Sequence, residues 1–347
     1  MSKPWLIVRP RPSFSFRIDR RVPFILLFLA IATLIVMILS VGYGEYPISP
    51  INVVNTLLGF QTGNSDYNFV IYTLRLPRVI VAVLVGMGLA IAGTIMQGLT
   101  RNPLAAPEIV GVEAGAGLAA VALIVLLPAI PIFFLPLAAF VGAFIAALLV
   151  YSLAWENGSS PIRLILVGVG VGAIASAFTS LMITFGNIYD VSQALVWLAG
   201  SVYGRTWEHI WALLPWLFVF VPASFFCARE LNTLNLGDDV ARGLGSAVEW
   251  QRGLLLLTSV ALSGASVATA GTIGFVGLMA PHLSRQLVGT SHEGLMPTSA
   301  LVGGLIVALA DLLGRSLFAP IELPCGVVTA AVGAPYFLYL LYRNRNR

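Results

Sequence analysis

Leu74-Arg75-Leu76-Pro77-Arg78 opens a run that carries no charge through Gly86, Gly88, Ala90, Gly93 and Gln97, and closes on Arg101-Asn102-Pro103. About 20 apolar residues suffice to cross the hydrocarbon of a bilayer, and the stretch from Val79 to Met96 approaches that length. Pro103 lacks a backbone donor and biases Asn102 away from helix, so the run ends there. Its small residues fall on one helical stripe, the pattern that lets neighbouring backbones approach closely inside a membrane. The stretch reads as a buried membrane-spanning helix with a polar turn after it.

The same pattern recurs along the chain. Apolar length, punctuated by Gly, Pro and charge, gives about ten spans: 22–41, 76–98, 108–127, 132–155, 163–185, 207–227, 250–271, 275–288, 295–317 and 324–342. The eighth is short and begins at the break Ala270-Gly271-Thr272-Ile273-Gly274. Charged residues make up 10% of the 347, against about 25% in soluble domains. Mean hydropathy is +0.93. These values exclude a water-soluble fold and predict an all-α polytopic membrane protein, read as one transmembrane domain over 1–347. The first apolar run follows Lys3, Arg9, Arg11, Arg17, Arg20 and Arg21 without a small-x-small cleavage site, so it reads as an uncleaved span behind a basic cytoplasmic tail, 1–21.

Charge tests the count. With ten spans and the N-terminus inside, 15 of the 19 Lys and Arg residues fall on the cytoplasmic side; only Arg75, Arg78, Arg205 and Arg315 fall outside. That is the asymmetry expected of an inner-membrane protein with both termini cytoplasmic. Residues 42–74 then lie outside, 186–206 suggests a short amphipathic helix at the outer interface, and 228–250 is a long cytoplasmic segment.

Catalysis within the chain is disfavoured. The sole lysine is Lys3, so no phosphate-binding Gly-x-x-x-x-Gly-Lys loop exists. His209, His282 and His292 stand on separate segments without metal-ligand spacing. Cys227 and Cys325 read as packing residues. No cofactor, metal or nucleic acid is expected. Ionisable residues are nearly absent from mid-membrane depth, which removes the proton relay of an ion-coupled carrier. A secondary transporter and a non-transporting scaffold or receptor remain the rival classes.

Three places stand out, each with two readings. Gln97, Arg101, Asn102 and Pro103 form either a plain helix hairpin or the inner mouth of a translocation pathway, with Gln97 and Asn102 as its polar lining. In Leu236-Gly237-Asp238-Asp239-Val240-Ala241-Arg242-Gly243-Leu244-Gly245, the acids suit a helix N-terminus. Leu236, Val240 and Leu244 recur at i, i+4, i+8 as one apolar stripe. It is either an interfacial helix on lipid or a docking helix. Arg75, Arg78 and Arg315 either snorkel to headgroups or receive acidic residues of a partner. Glu113, near the inner end of its span, is either a pathway acid or half of an ion pair.

The order of these motifs resembles the FecCD-type permeases, the membrane subunits of ABC importers for ferric siderophores, haem and vitamin B12. The resemblance spans nearly everything after the first span. It rests on Arg75-Leu76-Pro77-Arg78, Gln97 to Pro107, Trp197 to Ser201, Leu236 to Gly245, Gly274 to Arg285, Ala310-Asp311, and Glu322 to Ala330 through Gly333-Ala334-Pro335. It implies a type II importer permease of ten helices, paired as a homo- or heterodimer, moving an iron chelate, with ferric siderophore the favoured cargo. It implies cytoplasmic ATPase subunits docked on Leu236 to Gly245, and a substrate-binding protein docked outside on Arg75, Arg78 and Arg315. An uncharged residue is expected where Glu113 stands.

Overall fold

Helix accounts for nearly all of the chain, because in hydrocarbon every backbone N–H and C=O must be paired within its own segment. The computed structural model describes residues 5–11, 14–44, 46–60, 64–156, 158, 160–317 and 320–344. Two short strands, β1 (Trp5–Arg11) and β2 (Phe14–Asp19), pair antiparallel ahead of the first helix. The basic segment 1–21 thus carries a hairpin; Lys3 and the terminal Arg345 and Arg347 lie outside the described residues.

The helices follow in order: α1 (Arg21–Gly42), α2 (Pro50–Leu57), α3 (Asp66–Thr100), α4 (Val112–Leu126), α5 (Leu135–Ala154), α6 (Pro161–Phe185) and α7 (Ile188–Leu198). Then come α8 (Trp207–Phe226), α9 (Ala228–Leu234), α10 (Asp238–Gly243), α11 (Val248–Ala270), α12 (Val276–Val288), α13 (His292–Ser316) and α14 (Cys325–Asn344). Among the described residues, eight are long and apolar enough to cross a membrane: α1, α3, α5, α6, α8, α11, α13 and α14. Helices α4 and α12 take the places of the third and eighth expected spans and are shorter, at 15 and 13 residues. Helix α4 loses the first turn of its expected span to local backbone, whereas α12 starts one residue after the expected 275. Pro107–Val110 forms a 3-10 turn that ends at Gly111 with φ 75°, and α12 begins at Phe275 with φ 67°.

Helix α3 is the centre of the bundle, wrapped by α11, α12 and α13. Lipid is as apolar as leucine, so packing between these helices depends on close contact rather than on expulsion of water. The glycine stripe supplies it. A Cβ on Gly86 would overlap the Gly303 carbonyl of α13, and one on Gly93 would overlap the Gly277 carbonyl of α12. The Ser259 hydroxyl of α11 adds a hydrogen bond to the Ala92 carbonyl at 3.1 Å. Around this centre, α1, α6 and α8 expose bulky side chains such as Phe28, Leu166 and Phe218, as a lipid-facing perimeter requires. The amphipathic segment in 186–206 forms α7, capped by Asn187, whose side chain accepts from the Tyr189 N–H at 3.0 Å.

Candidate functional site

At one end of α3 the arginines converge on α1 and α13. The last carbonyls of any helix lack intrahelical donors, and α1 ends at Gly42. Arg75 donates from Nη1 to the Val41 and Gly42 carbonyls (2.8 and 3.3 Å) and from Nη2 to that of Tyr46 (2.8 Å). Arg315 reaches the same helix end from α13, donating to the Ser40 carbonyl and hydroxyl and to the Tyr43 carbonyl. Arg78 has a different task. Its Nε donates to both Asp311 oxygens at 3.1 Å, and Nη2 donates to Oδ1 at 2.8 Å. Its Nη1 donates to Glu322 at 2.8 Å, and its guanidinium lies 5.4 Å from the centre of the Tyr203 ring.

The three arginines expected to dock a partner are thus engaged within the protomer. Arg78 and Arg315 are each only 8% exposed, and all three guanidinium groups have acceptors within the protomer. A cation in a poorly hydrated site is tolerated only when so paired. The same contacts explain Asp311, the acid nearest the membrane interior in α13. It is buried and paired with Arg78 at 2.8 Å.

At the opposite end of α3, Arg101 takes the left-handed conformation with φ 51° and stops the helix. Its guanidinium pairs with Asp238 at the start of α10. Arg252, buried at the start of α11, donates from Nη2 to both Asp238 oxygens at 2.9 and 2.8 Å. Two sequence features expected to act apart, the turn after α3 and the 236–245 stretch, are therefore one ionic joint. Partial burial alone would raise the Asp238 pKa, but the hydrogen bond and charge of Arg252, with Arg101 and Arg242 behind, hold it below the usual carboxylate value. Gly237 (φ 108°) and Gly245 (φ 85°) turn the chain at either end of α10, a backbone region that side chains with a Cβ avoid. Ala241 is buried, whereas Leu236, Val240 and Leu244 are 61%, 50% and 66% exposed. The expected stripe exists, and it faces away from the bundle.

The remaining expected pathway residues are spread over different settings. Gln97 is buried: its amide donates to the Leu278 carbonyl at 3.4 Å, and its oxygen accepts from Arg285 at 2.8 Å. It ties α3 to α12. The Asn102 side chain accepts from the Leu104 N–H at 2.9 Å, closing the turn, and Pro103 is exposed beside it. Glu113 lies in the first turn of α4, where helix N–H groups favour an acid. Glu108, outside the expected site residues, stands near it. Arg252 is likewise outside them, and its signal in the sequence is plain: a lone arginine opening an apolar span. Among the described residues no group of His, Cys, Asp and Glu is arranged to hold a metal ion.

Eight helices long and apolar enough to cross a membrane, with ionic joints at both ends of α3, mark a multi-pass membrane protein. The chain belongs to the FecCD transport family, whose model matches residues 32–343. It is 47% identical to a probable siderophore transport system permease protein of Bacillus subtilis, over 90% of this chain and 93% of that one. It is 42% identical to the Fe(3+) dicitrate transport system permease protein of Escherichia coli, over 83% and 90%. A solved chain from a metal-chelate type ABC transporter in an inward-facing conformation superposes with a TM-score of 0.84 at 32% identity, covering 92% of this chain and 99% of that one.

Proposed function

We propose that this chain forms the translocation pathway of an ATP-driven importer for an iron chelate, most simply a ferric siderophore, with the hydrolysing subunits on separate chains. The observation that carries the reading is the 236–245 stretch. An exposed apolar stripe of three residues is held rigidly by Asp238 to the ends of the two most deeply packed helices, α3 and α11. Apolar side chains outside the bilayer, on a braced helix, suit a groove on a soluble partner. Movement of that partner would pass through Asp238 into α3, around which the bundle packs. The relatives named for siderophore and ferric dicitrate transport support the cargo class.

The outer end is proposed to receive the substrate-binding protein on the face braced by Arg75, Arg78 and Arg315. With those guanidinium groups engaged internally, docking by carboxylates requires either exchange of partners or use of exposed donor edges. A second permease copy completes the pathway, and both termini lie in the cytoplasm. The test is reconstitution of the chain with its ATPase and binding protein in sealed vesicles. Uptake of radiolabelled ferric siderophore should require ATP and all three components. Uptake driven by a pH gradient without the ATPase would overturn the reading in favour of an ion-coupled carrier.

A further inference from the structure

Arg205 is the one outward arginine left without a role, and it borders a polar-rimmed cavity. That cavity, about 630 Å³, opens between the first turns of α5 and α8 and the last turns of α11. It falls in the roughly 300–1,000 Å³ range of small-molecule sites. Its polar rim is Arg205, Glu208 and His209, and its apolar wall includes Phe140 and Trp216. The Phe140 and Trp216 rings lie 4.3 Å apart, centre to centre. Trp216 stands nine residues along α8 from Trp207, so the apolar wall runs about 13 Å from the rim at 1.5 Å per residue. The Trp207 indole donates to the Tyr72 carbonyl at 2.8 Å, which places this rim at the same membrane face as Arg75.

The rim is short of an acceptor. The Thr206 N–H donates to His209 Nδ1 at 3.2 Å, so the proton of the neutral ring sits on Nε2. That nitrogen faces Arg205 Nη1 at 3.3 Å, donor against donor. Two donors therefore meet where an anion satisfies both. Glu208 lies three residues away, yet it forms no ion pair with Arg205 among the described residues, and both side chains border the cavity. Opposite charges left apart at the mouth of an apolar slot complement a molecule that is itself an anion, a cation and a hydrocarbon chain.

We propose that this cavity binds a zwitterionic aminophospholipid of the surrounding leaflet. Its phosphodiester oxygens accept from Arg205 Nη1 and from His209 Nε2. Its ammonium group donates to Glu208, and one acyl chain lies along Phe140 and Trp216. The lipid then seals α5, α8 and α11 against one another at the outer face. This site is independent of the cargo and of the docking surfaces.

The full chain, reconstituted in nanodiscs with equal phosphatidylethanolamine and phosphatidylglycerol and then washed in detergent, is examined by native mass spectrometry. Wild type should keep one phosphatidylethanolamine per chain in preference to phosphatidylglycerol. Arg205→Gln should weaken retention about tenfold, the scale of a charge-assisted hydrogen bond. Glu208→Gln, at an exposed position that folding tolerates, should keep a lipid bound but erase a headgroup preference of about threefold. Three results each overturn the proposal: equal retention in wild type and Arg205→Gln, equal binding of both headgroups by wild type, or an unchanged preference in Glu208→Gln. So does a lipid-free wild type in which Phe133→Cys cross-links two copies, since a second chain then covers the cavity.

Discussion

The two ends of α3 hold comparable sets of charges and use them in opposite ways. At the end that the proposed topology places outside, Arg75, Arg78 and Arg315 turn inward, capping α1 and pairing Asp311, and the result is a closed joint. At the other end, Arg101 and Arg252 also turn inward onto Asp238, but they leave the far side of α10 exposed and apolar. Ion pairs serve as structure in both places. Only at the Asp238 end do they leave an exposed apolar surface. Charge in a membrane protein is thus a weak guide to where a partner binds until its internal acceptors are known, whereas an exposed apolar stripe beyond the bilayer is a stronger one.

The largest effect should come from opening the outer joint. Arg78→Ala leaves Asp311, 3% exposed, as a buried carboxylate without its main partner, at a cost of about 3–5 kcal/mol. A drop in the yield and melting temperature of detergent-purified protein measures it. Unchanged stability would show that water reaches Asp311 and that the joint is open after all.

Leu244→Asp probes the other side of the comparison. With the side chain 66% exposed, the isolated chain should melt as wild type does. Loss of a buried apolar anchor in a partner's groove typically costs about 2 kcal/mol or more, so co-purifying ATPase should fall at least tenfold. Normal ATPase retention with normal uptake would remove 236–245 from the coupling role.

Glu322→Gln separates brace from docking surface at the outer end. The ion pair is partly solvated on the glutamate side, so stability should change by only about 0.2–1 kcal/mol. The freed Arg78 Nη1 then becomes available to an acidic partner. If the arginines do receive the binding protein, its affinity should rise slightly and become more sensitive to salt. No change in affinity at any salt concentration would leave them as struts alone.

The smallest effect concerns pH. The Asp238 carboxyl is held below its ordinary value of 3.8, so folding stabilises its charged form. That contribution is complete above the ordinary value and disappears only as pH falls through the lowered one. The brace on α10 should therefore be insensitive to pH at any value above 3.8. Hydrogen exchange of the α10 amides checks this: faster exchange between neutral and mildly acidic pH, after correction for intrinsic rates, would show that Asp238 is not held by its arginines.

The sequence by itself determined the class, the order of the spans and the glycine stripe. Hydrocarbon imposes a length and forbids charge, and both constraints are local enough to read from one strand of text. The run ending at Arg101-Asn102-Pro103 stops where Pro103 requires it, and Leu236, Val240 and Leu244 share a face because helical period alone places them so. What the tertiary structure decided is where each polar group finds its complement. Arg78 meets Asp311 across 233 positions of chain, and Arg101 meets Asp238 across 137. Gln97 meets the Leu278 carbonyl and Arg285 of α12. Helix α4 lost its first expected turn to a 3-10 turn ending at the left-handed Gly111. An ion pair depends on the relative placement of distant helices, which packing sets and no local pattern encodes.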